Sequence, residues 1–350
     1  MASGSFDALI AKIGDNPLLL AQLARTIAAK GDTAKAHELA RRSLALAPDN
    51  AQVRFVATEI LSRGVPHWHF TIVRDEARNE AYDAALRRVV RPGMRVLEIG
   101  TGTGLLAMMA ARAGATEVFT CEMNPAVAES ARAVIARNGF ADRVKVIGKH
   151  SADVDAEKDM GGRADVLVSE IVSNDLLSEA ALPAHEQAHR RLLKPGAKII
   201  PAIGRVRIAL AYDAEGDKKR MSSRCGFDLS DFNVLASPRY HIGRGEKRLT
   251  LCSDTADLFS FDFQSGGPWP ESKSSAVVHA DGRPATAIAQ WIALDMDGAG
   301  HYENTPESGA SSCWAIVIYP FAKTLTLPAG TPVTVRGAHD RNHLTIWPEF

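Results

Sequence analysis

The chain has 350 residues, 46% hydrophobic and 23% charged, an ordinary balance for a globular protein of about two or three domains with ample core. Its 41 basic and 41 acidic residues cancel. No overall field therefore steers it to nucleic acid or to an anionic membrane, and a basic substrate must be drawn by a local acidic site. Cys121, Cys225, Cys252 and Cys313 lack CxxC spacing, which argues against a zinc site or a disulfide framework. The start, MASGSFDALI, has neither the basic beginning nor the apolar run of a signal peptide, and no stretch reaches the roughly 18 apolar residues of a membrane span. A reducing cytoplasm is the expected location.

Asp15 to Asn50 reads as two amphipathic helices joined by Lys30-Gly31-Asp32, with helical spacing in LLLAQLARTIAA and AKAHELARRSLAL. Ala24, Ala28 and Ala36 would let these helices approach closely. From Asn16-Pro17 to Pro48-Asp49-Asn50 the length and punctuation are those of one tetratricopeptide unit, and a third helix over Ala51 to Ser62 would cover its open face. This helical segment, residues 1–64, is either a docking surface for a protein partner or a brace for the next domain. Gly64 to Trp68 breaks the pattern. One helix is then expected from about Thr71 to Val90, carrying Arg74, Asp75, Arg78 and Tyr82, with Arg91-Pro92-Gly93 as its stop.

From there strands and helices alternate. Strands are expected at Val96–Ile99, Glu117–Cys121, Val144–Ile147, Val166–Ser169 and Lys198–Ile200, and helices at Leu105–Ala113, Pro125–Asn138 and Leu182–Leu193. Short apolar strands separated by helices predict a mostly parallel sheet covered on both faces. Ligands in such sheets bind beyond the carboxyl ends of the strands, where Glu98, Glu122 and Glu170 fall. After Pro201 the runs RVRIALAY, LFSFDF, TAIAQWIALDM, SCWAIVIYPF and VTVRGAH are short, partly alternating and divided by turn residues, the pattern of antiparallel strands. The expected fold class is therefore α/β: a Rossmann-like domain over residues 65–201, then an antiparallel, barrel-like domain over 202–350. Met221 to His241 fits neither period and is a candidate interface.

The stretch VLEIGTGTG, Val96 to Gly104, carries the first chemical signal. Gly100, Gly102 and Gly104 permit a sharp turn and a close approach of ligand to backbone, and the helix that follows offers free N–H groups at its start. A dinucleotide fingerprint would read GxGxxG; this loop reads GxGxG with Glu98 two residues ahead of it. A pyrophosphate would be repelled by Glu98, whereas a sulfonium would be attracted. Glu122, ending the second strand, can bind both hydroxyls of a ribose. The charge pattern selects S-adenosylmethionine over a nicotinamide cofactor.

The second signal is Glu170, at the end of the fourth strand, with Glu179 after the excursion IVSNDLLS. Two carboxylates could serve a metal, an acid–base pair or a cationic substrate. A metal would need further ligands beyond Asp175, and none is expected. A guanidinium, a planar fork of five donors, suits two carboxylates well.

From about Trp68 to the C-terminus the sequence resembles the protein arginine methyltransferases. Glu170 and Glu179 match the family's double-glutamate loop. His69, Asp75, Arg78 and Tyr82 match the helix covering the cofactor and its lead-in, and the resemblance implies that Arg78 binds the methionine carboxylate. Gly100 to Gly104, Glu122 and Lys149-His150-Ser151 match the cofactor loop, ribose and adenine positions. The stretches NGF, KVIGKHS, EAALPAHEQAH and ALDMDG are closest to the seventh and ninth members. The family's Thr-His-Trp loop falls at Ser312-Cys313-Trp314, so Cys313 stands in place of the histidine that pairs with the aspartate matched by Asp75. Asp75 and Trp314 are then expected at the substrate. Ser151 replaces the glutamate that usually meets adenine. A single module of this family usually dimerises, here through Met221–His241.

The resemblance implies in-line attack of an arginine nitrogen on the sulfonium methyl, with Glu170 and Glu179 catalytic and His69, Arg78, Glu98, Gly100, Gly102, Gly104, Glu122, His150 and Ser151 around the cofactor. Two other readings stay open: methyl transfer to another amine, and a binding protein whose cofactor site is vestigial.

Overall fold

The computed structural model describes residues 3–243, 246, 248–306 and 312–349. It begins with four helices, α1 (Ser3–Ile13), α2 (Pro17–Ala29), α3 (Thr33–Leu46) and α4 (Ala51–Leu61); the first of them was not expected from the spacing. Each of the next three is started by a side-chain cap. Asn16 accepts from the N–H of Leu19, Asp32 from Lys35, and Asn50 from Gln52 and Val53. Leu20, Ile27, Leu39, Val56 and Ile60 close a small core of their own, with Ala24 and Ala36 fully buried. Arg41 Nη2 donates to the Ala126 carbonyl at 3.2 Å and Asn124 Nδ2 to that of Gly64 at 3.0 Å, tying this layer beside the parallel sheet.

The single helix expected over Thr71–Val90 is two: α5 (Trp68–Ile72) and α6 (Glu76–Val89). The break is at Asp75, whose backbone is extended and whose carboxylate accepts from the Arg78 N–H at 2.9 Å. A capping carboxylate satisfies an orphan donor of the new first turn and so favours restarting the helix there. Arg78 is thereby fixed in the first turn of α6.

The parallel sheet follows: β1 (Arg95–Ile99), α7 (Leu105–Arg112), β2 (Glu117–Cys121), α8 (Pro125–Arg137), β3 (Val144–Ile147), β4 (Ala164–Ser169), α9 (Ala181–Arg191) and β5 (Leu193–Ile200). The strand order is β3-β2-β1-β4-β5, with every pairing parallel. The order reverses between β1 and β4, and a crevice opens beyond the carboxyl ends at such a reversal.

The C-terminal half is antiparallel. Its strands are β6 (Ile203–Asp213), β7 (Ser223–Arg224), β8 (Phe227–Asp228), β9 (Tyr240–Ile242), β10 (Leu249–Leu251), β11 (Ala256–Asp262), β12 (Ser272–His279), β13 (Ala285–Asp295), β14 (His301–Glu303), β15 (Ile316–Leu325), β16 (Pro332–His339) and β17 (Leu344–Glu349). The long strands β6, β13 and β15 lie side by side, and register shifts in β11 and between β13 and β15 curl the sheet into a barrel-like form. One apolar core runs from the parallel sheet into this layer. The segment that fitted neither period projects from the barrel as β7, β8 and a short 3-10 helix, with Phe227, Phe232, Val234 and Leu235 exposed. Among the described residues no helix is long and apolar enough to cross a membrane.

Candidate active site

The crevice at the strand reversal is lined from both sides. An inner recess of about 520 Å³ is walled by Trp68, His69, Ile72, Arg78, Glu98, Gly100 to Thr103, Glu122, Glu170 and Glu179. It adjoins a broader cleft of about 1480 Å³ that reaches Cys121, Met123, Lys149, His150, Ser151, Ala180 and Gln187. Trp68, His69, Gly100, Glu122, Ile171 and Glu179 border both. The expected cofactor residues His69, Arg78, Glu98, Gly100, Gly102, Glu122, His150 and Ser151 are thus brought to one continuous space. Gly104 sits just behind it as the cap of α7, at φ +81°, where a Cβ would lie 2.9 Å from Ile135.

The glycine loop is shaped by what a side chain would strike. Gly100 has φ +90°, and a Cβ there would lie 3.1 Å from Ile171 Cγ2. Gly102, at φ +51°, has nothing closer than 3.9 Å, so its backbone faces open space. Glu122 is aimed by two backbone donors, the N–H of Asn124 at 2.8 Å and that of Gly102 at 3.2 Å. His69 lies against the Trp68 ring, with centroids 3.9 Å apart, and burial lowers its pKa.

Glu170, Asp75 and Glu98 lie close to one buried cation, Arg78. Arg78 Nη2 lies 3.0 Å from Glu170 Oε2, both side chains nearly sealed from solvent. Burial outweighs this pair and pushes the Glu170 carboxyl up to about 7, with the Glu179 and Asp75 charges adding to the rise. Glu179 is exposed at the mouth of the cavity; partial desolvation there, then the Asp175 charge, push its carboxyl up to about 7. Glu98 is 1% exposed, and burial raises it to about 8 although the Thr120 hydroxyl donates to it at 2.5 Å. At neutral pH Glu98 is therefore largely protonated in the unliganded protein, which corrects the expectation of a standing negative charge ahead of the glycine loop. Glu170 and Glu179, both on the lining of the recess, are suited to a cationic ligand beside Arg78.

Of the seven buried side-chain polar atoms without a hydrogen-bond partner among the described residues, two belong to the lining of this recess: Arg78 Nε, a donor, and Glu170 Oε1, an acceptor. Unpaired buried groups are costly and mark a place for a ligand. A donor for a carboxylate, an acceptor for a cation, a carboxylate at Glu122 suited to a diol and a side-chain-free loop together fit S-adenosylmethionine. Arg78, expected at the methionine carboxylate, also pairs with Glu170.

The loop between Glu170 and Glu179 is held from within. Asp175 accepts from the hydroxyls of Ser173 (2.6 Å) and Ser178 (2.7 Å) and pairs with Arg239 at 3.2 Å. Leu176 and Ala180 adopt positive φ, +74° and +58°. Such backbone costs a residue with a side chain roughly 1–3 kcal/mol, a strain that the surrounding bonds must hold. His185 fastens both flanks: Nε2 lies 3.0 Å from Ser169 Oγ and Nδ1 2.8 Å from the Ala181 carbonyl. Burial drives its pKa to about 4, so it is neutral, donating from Nδ1 and accepting from Ser169.

Asp75 and Trp314, expected at the substrate, do not line the cavity. Asp75 is buried; besides capping α6, its Oδ2 accepts from the Tyr302 hydroxyl at 2.8 Å and the Cys313 N–H at 2.7 Å. Trp314 is buried too, its Nε1 donating to the Val172 carbonyl at 2.8 Å. Both brace the site from behind. Sequence reasoning missed His185 and Tyr302. The His185 clamp could have been suspected from its place one turn into the helix after Glu179, whereas nothing in the spacing links Tyr302 to Asp75. Among the described residues no group of three or more His, Cys, Asp or Glu side chains gathers to hold an ion.

Comparison with known proteins gives a consistent picture. Residues 84–201 match the family model described as ribosomal protein L11 methyltransferase (PrmA). The chain is 37% identical over 308 residues to an arginine N(omega)-methyltransferase of Streptomyces achromogenes subsp. streptozoticus, an alignment covering 85% of this chain and 83% of that protein. It is 44% identical over 264 residues to protein arginine N-methyltransferase 7 of Danio rerio, covering 66% of this chain but 37% of that longer relative. Among solved structures, a chain of the Trypanosoma brucei PRMT1 enzyme-prozyme heterotetrameric complex with AdoHcy shares the fold, with TM-score 0.72 and 23% identity over 81% of this chain and 93% of its own.

Proposed function

The chain belongs to the protein arginine methyltransferase family, and from that premise we propose that Glu170 and Glu179 hold the arginine whose guanidinium nitrogen it methylates. S-adenosylmethionine is the methyl donor, supplying an electrophilic methyl on a sulfonium. The observation that carries the residue assignment is the unpaired Glu170 Oε1, on the recess that Glu179 also lines, an acceptor that the buried cation, Arg78, leaves unused.

In this reading Glu122 holds the ribose, Arg78 Nε faces the methionine carboxylate, and Ser151 and His150 border the adenine. Glu170 and Glu179 bind the guanidinium through charge-assisted pairs and orient one nitrogen toward the donor. Arrival of the cation draws both carboxyls into their ionised form, because an adjacent positive charge stabilises the anion. Alignment is the main source of acceleration, where fixed geometry contributes about 7–11 kcal/mol. The nitrogen that gains the methyl loses one proton. The Glu179 carboxylate, ionised and open to the cavity, is placed to take it.

The arginine is taken from a polypeptide in the first reading. A second reading, free arginine, is favoured by one observation: the Streptomyces relative that matches most of both chains is named for arginine alone. Labelled S-adenosylmethionine offered with equal amounts of an arginine-rich peptide and free arginine separates them. Label in the peptide supports the first reading, label in arginine the second, and label in neither overturns the function.

Several coarser assignments belong to the same reading. The helical segment spans 1–64, the methyltransferase domain 65–201 and the barrel-like domain 202–350. The exposed apolar arm between Met221 and His241 is the contact for a homodimer. The N-terminal helices are available to a protein partner. The four free cysteines suit a reducing compartment such as the cytoplasm.

A further inference from the structure

We propose that Tyr302 is a positioning residue of the reaction: its hydroxyl bond to Asp75 and its ring against Trp314 hold Glu170 in the orientation that binds the substrate guanidinium. The inference rests on the methyl-transfer reading above and deepens it.

Two routes lead from Tyr302 to Glu170. The first is polar. The Tyr302 hydroxyl donates to Asp75 Oδ2 at 2.8 Å, while Asp75 Oδ1 accepts from the Arg78 N–H at 2.9 Å. Arg78 in turn carries Glu170 Oε2 at 3.0 Å. The second is through packing. The Tyr302 and Trp314 rings meet edge to face, centroids 5.3 Å apart, and Trp314 Nε1 donates to the Val172 carbonyl, two residues beyond Glu170. A shift of Tyr302 therefore reaches Glu170 from both its ion-pair partner and its own loop.

The direction of the bonds is fixed by their donors. The Trp314 N–H donates to Ser312 Oγ at 3.0 Å, which leaves the Ser312 hydroxyl to donate to Tyr302 Oη at 2.7 Å. Tyr302 can then spend its own proton on Asp75. Chains of hydroxyls aligned in this way polarise one another, so the terminal bond to a carboxylate is strengthened. Burial pushes the Tyr302 hydroxyl well above its ordinary range, so it stays a donor at every working pH. The Cys313 thiol on the same side of Asp75 is only a weak donor. Tyr302 thus provides the strong side-chain donor that residue 313 lacks.

Tyr302→Phe deletes the donor and keeps the ring. The expected result is a fall in kcat on the order of 10- to 100-fold, the cost of a misaligned site. Calorimetric affinity for S-adenosylhomocysteine should weaken by no more than a few-fold, since Arg78 links the two sites, and the melting temperature should fall by only a few degrees, the loss of one buried hydrogen bond. Ser312→Ala should lower kcat in the same sense but less. Adding Cys313→His to Tyr302→Phe should restore turnover, because an imidazole on residue 313, whose backbone N–H already reaches Asp75, replaces the lost donor. Wild-type turnover in Tyr302→Phe would overturn the inference. So would a loss of activity accompanied by loss of S-adenosylhomocysteine binding and no rescue by Cys313→His, the signature of a purely structural role. An active wild type with an unimpaired variant sinks this inference alone; a wild type inactive on every form of arginine sinks the methyl-transfer reading with it.

Discussion

Replacing Glu170 by glutamine separates the electrostatics of the site from its chemistry. In the unliganded protein Glu170 titrates at about 7 against a reference of 4.5, so between those values the native state holds a proton that the unfolded chain has released. Stability then falls as pH rises through that window, because the native state binds more protons than the unfolded state. At about 1.4 kcal/mol per pH unit, ionising Glu170 costs roughly 3 kcal/mol by pH 8. Glutamine carries no such cost. It does weaken the partner of Arg78, and a buried cation left unpaired costs about 3–5 kcal/mol, although the amide oxygen still accepts from Nη2. The two effects oppose each other, so the absolute stability at one pH is a poor readout. The difference between pH 5 and pH 8 is a good one. Denaturant unfolding across this range should show Glu170→Gln losing less stability than wild type on going to pH 8, by up to roughly 3 kcal/mol. The residual slope belongs chiefly to the buried Glu98, since Glu179 is exposed and screened by solvent. Turnover in the same variant should fall at least on the order of 10²–10³-fold, the loss of one preorganised charged group. An unchanged slope together with turnover within a few-fold of wild type would refute the reasoning.

Other outcomes follow from the same geometry. On the proposal that Glu170 and Glu179 hold the guanidinium in ionised form, kcat/KM should rise with pH and level off above about 7; a flat profile between pH 6 and 8 would contradict it. Gly100→Ala places a methyl against Ile171 at φ +90°, so it should cost roughly 1–3 kcal/mol of stability and weaken S-adenosylhomocysteine binding measured by calorimetry. Glu122→Gln should weaken the same binding about tenfold while leaving the fold intact, a loss of one charge-assisted contact read by the same titration. Phe232→Asp combined with Val234→Asp, in the exposed arm, should shift the protein toward monomer in light scattering, with unchanged association arguing against that contact.

The sheet was legible in the sequence because its strands are short, apolar and set apart by helices, which leaves few alternatives. Glu98, Glu122 and Glu170 could be placed at one edge of it from strand ends alone. The break between α5 and α6 was harder, since Thr71 to Val90 keeps helical composition throughout and only the cap at Asp75 divides it. That Asp75 and Trp314 lie behind the cavity rather than on its wall was hidden for a different reason. Burial decides whether a polar side chain faces a cavity, and burial here depends on Tyr302, far along the chain and in another layer. The protonation of Glu98 was equally hidden, because its rise comes from enclosure by elements that spacing does not bring together. Local pattern located the donors and acceptors, and tertiary packing set their charge and aim.

The decisive chemical event is transfer of the methyl group to an arginine nitrogen. Its most direct test is tandem mass spectrometry of the product formed by the full chain with methyl-labelled S-adenosylmethionine and an arginine-bearing substrate, peptide or free. The label should reside on a guanidinium nitrogen and vanish with Glu170→Gln. Label on a lysine, histidine, thiol or carboxylate, or none on any arginine, would contradict the account.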